Sequence, residues 1–146
     1  LHDYKDVVAK KAKFATGTGF AQIQHAVDAG YRQSDILIVP DQVAGLNAVE
    51  AGRVDVFAGT ALTTRAVVRK SPRTEATKPF APLVDGKPRV DGGAFAFRSA
   101  ETRLRDAFNA ELHQLRKSGE LFRILRPFGF TKAEMTGLTA KELCGG

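Results

Sequence analysis

The side chains able to do chemistry in this chain are few, and their spacing gathers none of them into a reacting group. Asp41 and Asp55 stand beside apolar runs and could in principle share acid and base roles. Asp41, however, follows a proline at the head of a helical pattern, where a carboxylate caps the helix. Asp55 reads as an edge charge. His2, His25 and His113 lack the spacing that converges on a metal, and His25 reads as a half-exposed residue of a helix. No serine sits in a nucleophile elbow, and Cys144 lies too close to the end to serve as one. Gly17 and Gly19 are followed by Gln22 where a dinucleotide fingerprint needs a third small residue, and no Gly-Lys-Ser/Thr loop is present. The pattern therefore implies no catalytic constellation, no cofactor and no metal.

What remains is a seat rather than a reagent. Lys13–Val27, KFATGTGFAQIQHAV, reads as a short apolar strand through Phe14 and Ala15. It breaks at Gly17-Thr18-Gly19 and turns directly into a helix. Glycines there allow a sharp turn and a close ligand approach. Thr18 is placed to cap a helix whose apolar face is Ile23, Ala26 and Val27, with Gly30 as its stop. Free N–H groups at such a helix start suit a carboxylate or phosphate. An ordinary strand-to-helix turn with a capping threonine fits the same residues.

Around this seat the chain alternates strand and helix. His2–Lys11 carries Tyr4, Val7 and Val8 at helical spacing, and Tyr31–Ser34 is a polar connection. Ile36–Val39 suits a strand buried on both faces. Asp41 then caps a helix over Gln42–Ala51 with Val43, Leu46 and Val49 inward and Gly52 as its stop. Val54–Ala58 is a third strand, ending at Gly59-Thr60, and Thr60 caps a helix over Ala61–Lys70. Three strand–helix repeats with short joints predict an α/β fold with a doubly wound, mostly parallel sheet. In such sheets ligands bind beyond the carboxyl ends of the strands. The ends at Gly17-Thr18-Gly19, Pro40-Asp41 and Gly59-Thr60 then share one rim.

Beyond a polar stretch, Ser71–Ala81, the turn signal Val84-Asp85-Gly86-Lys87 predicts short edge strands around Leu83 and Val90. Ala94-Phe95-Ala96-Phe97 reads as a further strand. From Glu101 the pattern is helical: Leu104, Phe108, Leu112 and Leu115 form a stripe to Lys117, Ser118-Gly119 breaks it, and Leu121, Ile124 and Leu125 continue to Pro127.

With 146 residues, 43% hydrophobic and 26% charged, the chain suits one ordered domain with its own core. No apolar run is long enough for a membrane span, and no signal-peptide pattern opens the chain. Leu1 is not an initiator methionine, so the start reads as a cut. The net charge of +6 reads as a solvated basic face, because no interleaved aromatics or nucleic-acid motif accompany it; nucleic acid is not an expected partner. Cys144, the single cysteine, is a free thiol or has lost a partner.

The order of these elements carries a resemblance. A strand into Gly17-Thr18-Gly19, then Pro40-Asp41-Gln42, then Ala51-Gly52-Arg53-Val54-Asp55, resembles the second lobe of the extracytoplasmic solute-binding proteins of ABC importers, amino-acid-type family 3. Gly93–Arg98, Leu104–Asn109 and Ser118–Leu121 resemble that family's return strand and closing helices. Asp85–Pro88, Gly93–Arg98, Pro127–Phe130 and Ala140–Cys144 are similar to its ectoine/hydroxyectoine-binding branch.

The resemblance implies a type II lobe over residues 1–98, with helices and tail over 99–146 that would pack on a first lobe the chain lacks. It implies transport rather than catalysis, a periplasmic or extracytoplasmic location, ABC permease subunits as partners, and a small zwitterionic solute as ligand. Self-association of the partial chain is expected as well. Gly17, Thr18 and Gly19 match the positions that take a ligand carboxylate, and Phe20, Asp41, Gly59 and Thr60 complete the expected ligand-binding set. The position of Thr60 is often an aspartate that grips an α-ammonium group. A threonine there favours a cyclic zwitterion such as ectoine over a polar amino acid. A cyclohexadienyl-dehydratase-like enzyme also resembles this fold, and so would a sensing domain cut from a receptor.

Overall fold

The strand leading into the glycine turn is the centre of the structure. In the computed structural model, which describes residues 1–84 and 87–143, β1 (Phe14–Gly17) is buried along its whole length. It is flanked by β2 (Leu37–Val39) and β3 (Val56–Ala58) in the order β2-β1-β3. Both pairings are parallel, with Ala15 opposite Leu37 on one side and Phe57 on the other. The chain divides into two units, Leu1–Val90 and Asp91–Gly146, and this sheet is the core of the first.

Alternation along β1 sends neighbouring side chains to opposite faces, and helices cover both. On one face Phe14 packs with Tyr4 and Val7 of α1 (Tyr4–Ala9), Ala26 of α2 (Gln22–Asp28), and Ile36. The Tyr4 and Phe14 rings meet edge to face at 6.1 Å. On the other face Ala15 packs with Ala48 of α3 (Gln42–Glu50) and with Val54, joined by Leu37, Val49 and Phe57. The fourth helix, α4, is Ala61–Val68. A parallel sheet wound on both faces is the expected α/β architecture.

Three side chains sit differently from expectation. Ile38 is 44% exposed, because β2 is a sheet edge rather than a strand covered on both faces. Val43 is 58% exposed, and the inward face of α3 is Gly45, Ala48 and Val49. The cause is the Phe57 ring, which occupies the space where a Cβ on Gly45 would project, so the helix turns its smallest residue to the sheet. His25 is buried, not half-exposed, with its ring 5.9 Å from that of Tyr4.

Leu83–Val84 (β4) and Lys87–Pro88 (β5) form a small antiparallel pair, so the second strand lies at Lys87-Pro88 rather than around Val90. The turn residues Asp85 and Gly86 lie outside the described residues, as does Cys144.

In the second unit, α5 (Thr102–Lys117) and α6 (Glu120–Leu125) are separated by Ser118 and by Gly119, which adopts φ 78°. The strand expected over Ala94–Phe97 does not form. A strand exists only through a ladder with a neighbour, and none of the described residues pairs with this stretch. Phe95 and Phe97 instead set their rings on Phe108 of α5, at 4.8 and 5.5 Å. Thr131 and Glu134 make a reciprocal capping box in the tail, and a last turn of helix, α7, is Ala140–Leu143.

Candidate functional site

Topology sets where the crevice of the first unit's sheet opens. The connection through α2 places β2 on one side of β1, and the connection through α3 returns to place β3 on the other. The crevice of such a sheet opens beyond the carboxyl ends of the two strands at which the winding reverses, here β1 and β3. Residues 17–20 follow β1, and Gly59 and Thr60 follow β3.

The turn after β1 is built differently from the simple cap. Phe20 N–H donates to the Gly17 carbonyl at 3.1 Å, and Gly19 takes φ 72°, a conformation that favours glycine. Thr18 extends the pairing to β2: its N–H and its hydroxyl both donate to the Val39 carbonyl, at 2.9 and 3.3 Å. Thr18 therefore does not cap α2. That helix starts at Gln22 after Ala21, which makes no side-chain cap bond. A ligand carboxylate would find Gly19 open on its Cβ side, but not Gly17. A Cβ on Gly17 would lie 2.6 Å from the Phe20 ring, so Phe20 fills the space that the sequence assigns to an approaching ligand.

After β3, Thr60 caps α4 as expected. Its hydroxyl accepts from Thr63 N–H at 3.4 Å, shares a hydrogen with the Thr63 hydroxyl at 2.7 Å, and stays exposed. A Cβ on Gly59 would press on Thr64 Oγ1 at 3.1 Å and on the Phe57 ring at 3.3 Å. Two threonines that sequence reasoning missed belong to this corner. Thr16, fully buried, donates its hydroxyl to the Ala58 carbonyl at 2.9 Å and ties β1 to β3 just below the crevice. Thr64 Oγ1 is buried with no hydrogen-bond partner among the described residues. A polar residue inside an otherwise apolar strand was the one available signal for Thr16.

Asp41 stands on the β2 side of the rim, two residues past Val39, whose carbonyl accepts both Thr18 hydrogen bonds. It caps α3, its carboxylate accepting from Ala44 N–H at 2.8 Å. It follows β2, which lies two strand spacings, roughly 10 Å, from β3. The described carboxylates with perturbed acidity lie elsewhere. The Ser71 hydroxyl and then Arg73 hold Glu50 below the ordinary carboxylate range, Arg123 does so for Glu120, and Thr139 for Glu142. Among the described residues no cluster of three His, Cys, Asp or Glu side chains is placed to hold a metal, and no helix is long and apolar enough to cross a membrane.

A rim of glycines and threonines, with no acid at its centre, can bind and orient a small solute. Comparison with known proteins bears on which. No family model matches the chain. A probable amino-acid ABC transporter periplasmic-binding protein of Sinorhizobium fredii, y4tE, is 33% identical over 148 aligned positions, covering 99% of this chain and 49% of that protein. The chain is similar to one half of a periplasmic binding protein. The crystal structure of EhuB in complex with hydroxyectoine superposes on this binding-protein-like chain with a TM-score of 0.78 and 32% identity, over 99% of this chain and 55% of EhuB. The parallel α/β fold is thus that of the matched part of a solute-binding protein, and the chain spans about half the length of the relatives it matches. The first of these is named as a periplasmic-binding protein, and the second holds hydroxyectoine.

Proposed function

We propose that this chain supplies a solute-binding lobe to an ABC importer and that its crevice between β1 and β3 forms one wall of the site. The observation that carries the reading is similarity to two binding proteins across 99% of the chain. It coincides with a rim built from backbone and hydroxyl groups. In this reading Gly19 and the Thr18 turn receive a solute carboxylate, and Phe20, Gly59 and Thr60 border it. The opposite wall comes from a first lobe outside this sequence, residues 1–98 being the second lobe and 99–146 the part that packs on the first. Closure of the two walls sequesters the solute, and permease subunits receive it from the periplasmic or extracytoplasmic side.

The favoured ligand is ectoine or hydroxyectoine. An α-ammonium group needs a nearby anion in a closed cleft, because a charge left unpaired there is costly. Thr60 offers a hydroxyl that already caps a helix, and Asp41 stands across β1. A cation delocalised over a ring amidine is less demanding. The name of the Sinorhizobium relative favours a second reading, a polar amino acid. Turnover of the dehydratase kind has less support, since Asp41, the acid it would use, is engaged as the cap of α3.

A thermal-shift panel of ectoine, hydroxyectoine, proline betaine and the twenty amino acids tests the assignment. Largest stabilisation by the ectoines is expected. An amino acid in first place overturns the ligand while leaving the transport reading. No response to any compound counts against both.

A further inference from the structure

We propose that the amino-terminal end of the β2-β1-β3 sheet, the pole opposite the crevice, is a cationic surface that docks on an anionic lipid bilayer. The inference goes beyond the solute-binding reading and stands without it, on where the chain puts its charge. Within residues 14–70 every Lys and Arg falls in the last turn of a helix or past its end. Arg32 follows α2, Arg53 follows α3, Arg65 is in the last turn of α4, and Arg69 and Lys70 lie just beyond it. None stands at the carboxyl end of a strand or in the first turn of a helix, so no Lys or Arg of this stretch reaches the crevice rim. Lys10, Lys11 and Lys13, between α1 and the start of β1, add to the same pole.

Contacts join these links into one surface. Lys13 N–H donates to the Asp55 carboxylate at 2.8 Å and Asp55 N–H to the Lys13 carbonyl at 2.9 Å, which ties the starts of β1 and β3. Glu50 at the end of α3 accepts from the Ser71 hydroxyl and, at 3.2 Å, from Arg73 beyond α4. These acids are thereby engaged, as is Asp35 with Arg32, while Lys10, Lys11, Lys13, Arg53, Arg69 and Lys70 all stand exposed. A cation at a helix end answers the helix dipole, but Lys13 and Arg53 precede strands, where no dipole calls for them. No large exposed apolar side chain adjoins any of the six in sequence, so the surface lacks the anchor that a protein partner would bury. Nor does an exposed aromatic ring adjoin them for stacking on bases. Cations spread over one pole suit a headgroup layer, whose negative potential is smeared over a plane. Docked in this way, the crevice opens away from the bilayer.

The test is co-sedimentation of the 146-residue chain with vesicles of phosphatidylglycerol and phosphatidylcholine in equal parts, and with vesicles of phosphatidylcholine alone. Binding to the anionic vesicles at low salt is expected, with release at about 1 M salt, where charges are screened within roughly 3 Å. Arg53→Gln, Arg69→Gln and Lys70→Gln combined should weaken that binding about a hundredfold, each cation near such a surface contributing about fivefold. Arg103→Gln, Lys117→Gln and Arg126→Gln combined remove the same charge from the second unit and should weaken it by less than about fivefold. Both triples change exposed side chains outside the core clusters, so melting temperatures should not move. No binding to anionic vesicles at low salt overturns the proposal. Equal binding to phosphatidylcholine alone assigns the contact to exposed apolar surface, and equal losses in the two triples assign it to net charge; either result overturns the cationic pole. Retention on a polyglutamate resin without vesicle binding makes an acidic protein the partner and overturns the lipid. The solute-binding reading is untouched by these outcomes, because the thermal-shift panel tests it separately.

Discussion

In the proposed reading, Thr60 is the side chain that separates the ligand classes. Its hydroxyl serves as an N-cap, accepting from Thr63 N–H, and remains exposed at the end of β3. Aspartate caps a helix as well as threonine does, so Thr60→Asp should leave the melting temperature nearly unchanged. It also places a carboxylate at the crevice, where one hydrogen bond to an ammonium group contributes about 1.5–3 kcal/mol. Amino-acid affinity should rise accordingly and ectoine should lose its lead, read as a reversal of rank in calorimetric titrations. An unchanged rank order would mean that the ligand cation lies out of reach of residue 60. The neighbouring Thr18 is a weaker probe, because its N–H and hydroxyl are both given to Val39 and its replacement loosens the sheet as well as the rim.

Among the elements, α3 shows how a cap and a ligand residue are told apart. Asp41→Ala removes the acceptor for Ala44 N–H and should cost about 0.5–2 kcal/mol in denaturant unfolding without altering which solute binds best. A changed solute preference would mean that Asp41 acts on the ligand as well as on the helix. The far end of α3 is held by Glu50, which accepts from the Ser71 hydroxyl and pairs with Arg73. Those contacts hold its acidity below the ordinary 4.5. A carboxyl depressed on folding stabilises the fold above its unfolded value, and that contribution fades as pH falls through the folded one. Urea midpoints of the wild-type chain should therefore drop from about pH 4.5 downward more steeply than those of Glu50→Gln; parallel curves would dissociate Glu50 from acid stability. The strand–helix alternation and the caps at Asp41 and Thr60 were legible because apolar runs, proline and glycine mark them locally. The start of α2, the inward face of α3 and the fate of Ala94–Phe97 were not. Each depends on a long-range partner: Val39 for Thr18, the Phe57 ring for Gly45, and a pairing strand that Ala94–Phe97 lacks among the described residues. At the site the glycines, Thr18 and Thr60 were visible, but Thr16, Thr64 and the use of Gly17 to seat Phe20 were not, since no spacing rule encodes a ring folding back on its own turn.

At the scale of the whole molecule, the second unit leaves more apolar surface uncovered than its helices need for their own contacts. Neither α5 nor α6 has a buried residue. Phe95 is 69% exposed, Leu104 57%, Ile124 44% and Phe128 73%. The stripe on α5 recurs at the spacing of one helix face, with Arg103, Arg105, Arg116 and Lys117 elsewhere on the same helix, the pattern of an element made to be packed on something. Contiguous exposed apolar area drives association when no partner covers it. The chain alone should therefore show a mass that rises with concentration in light scattering after gel filtration, or bind a hydrophobic dye. Leu104→Lys combined with Phe95→Ser should reduce both signals, because polar groups placed in the patch remove the gain from burying it. The same pair should leave the stability of the first unit unchanged, since neither residue belongs to its core. A wild-type chain that stays monomeric and dye-silent at high concentration would mean that this surface is content in water, and the proposal that residues 99–146 are shaped to pack on a separate lobe would lose its physical basis.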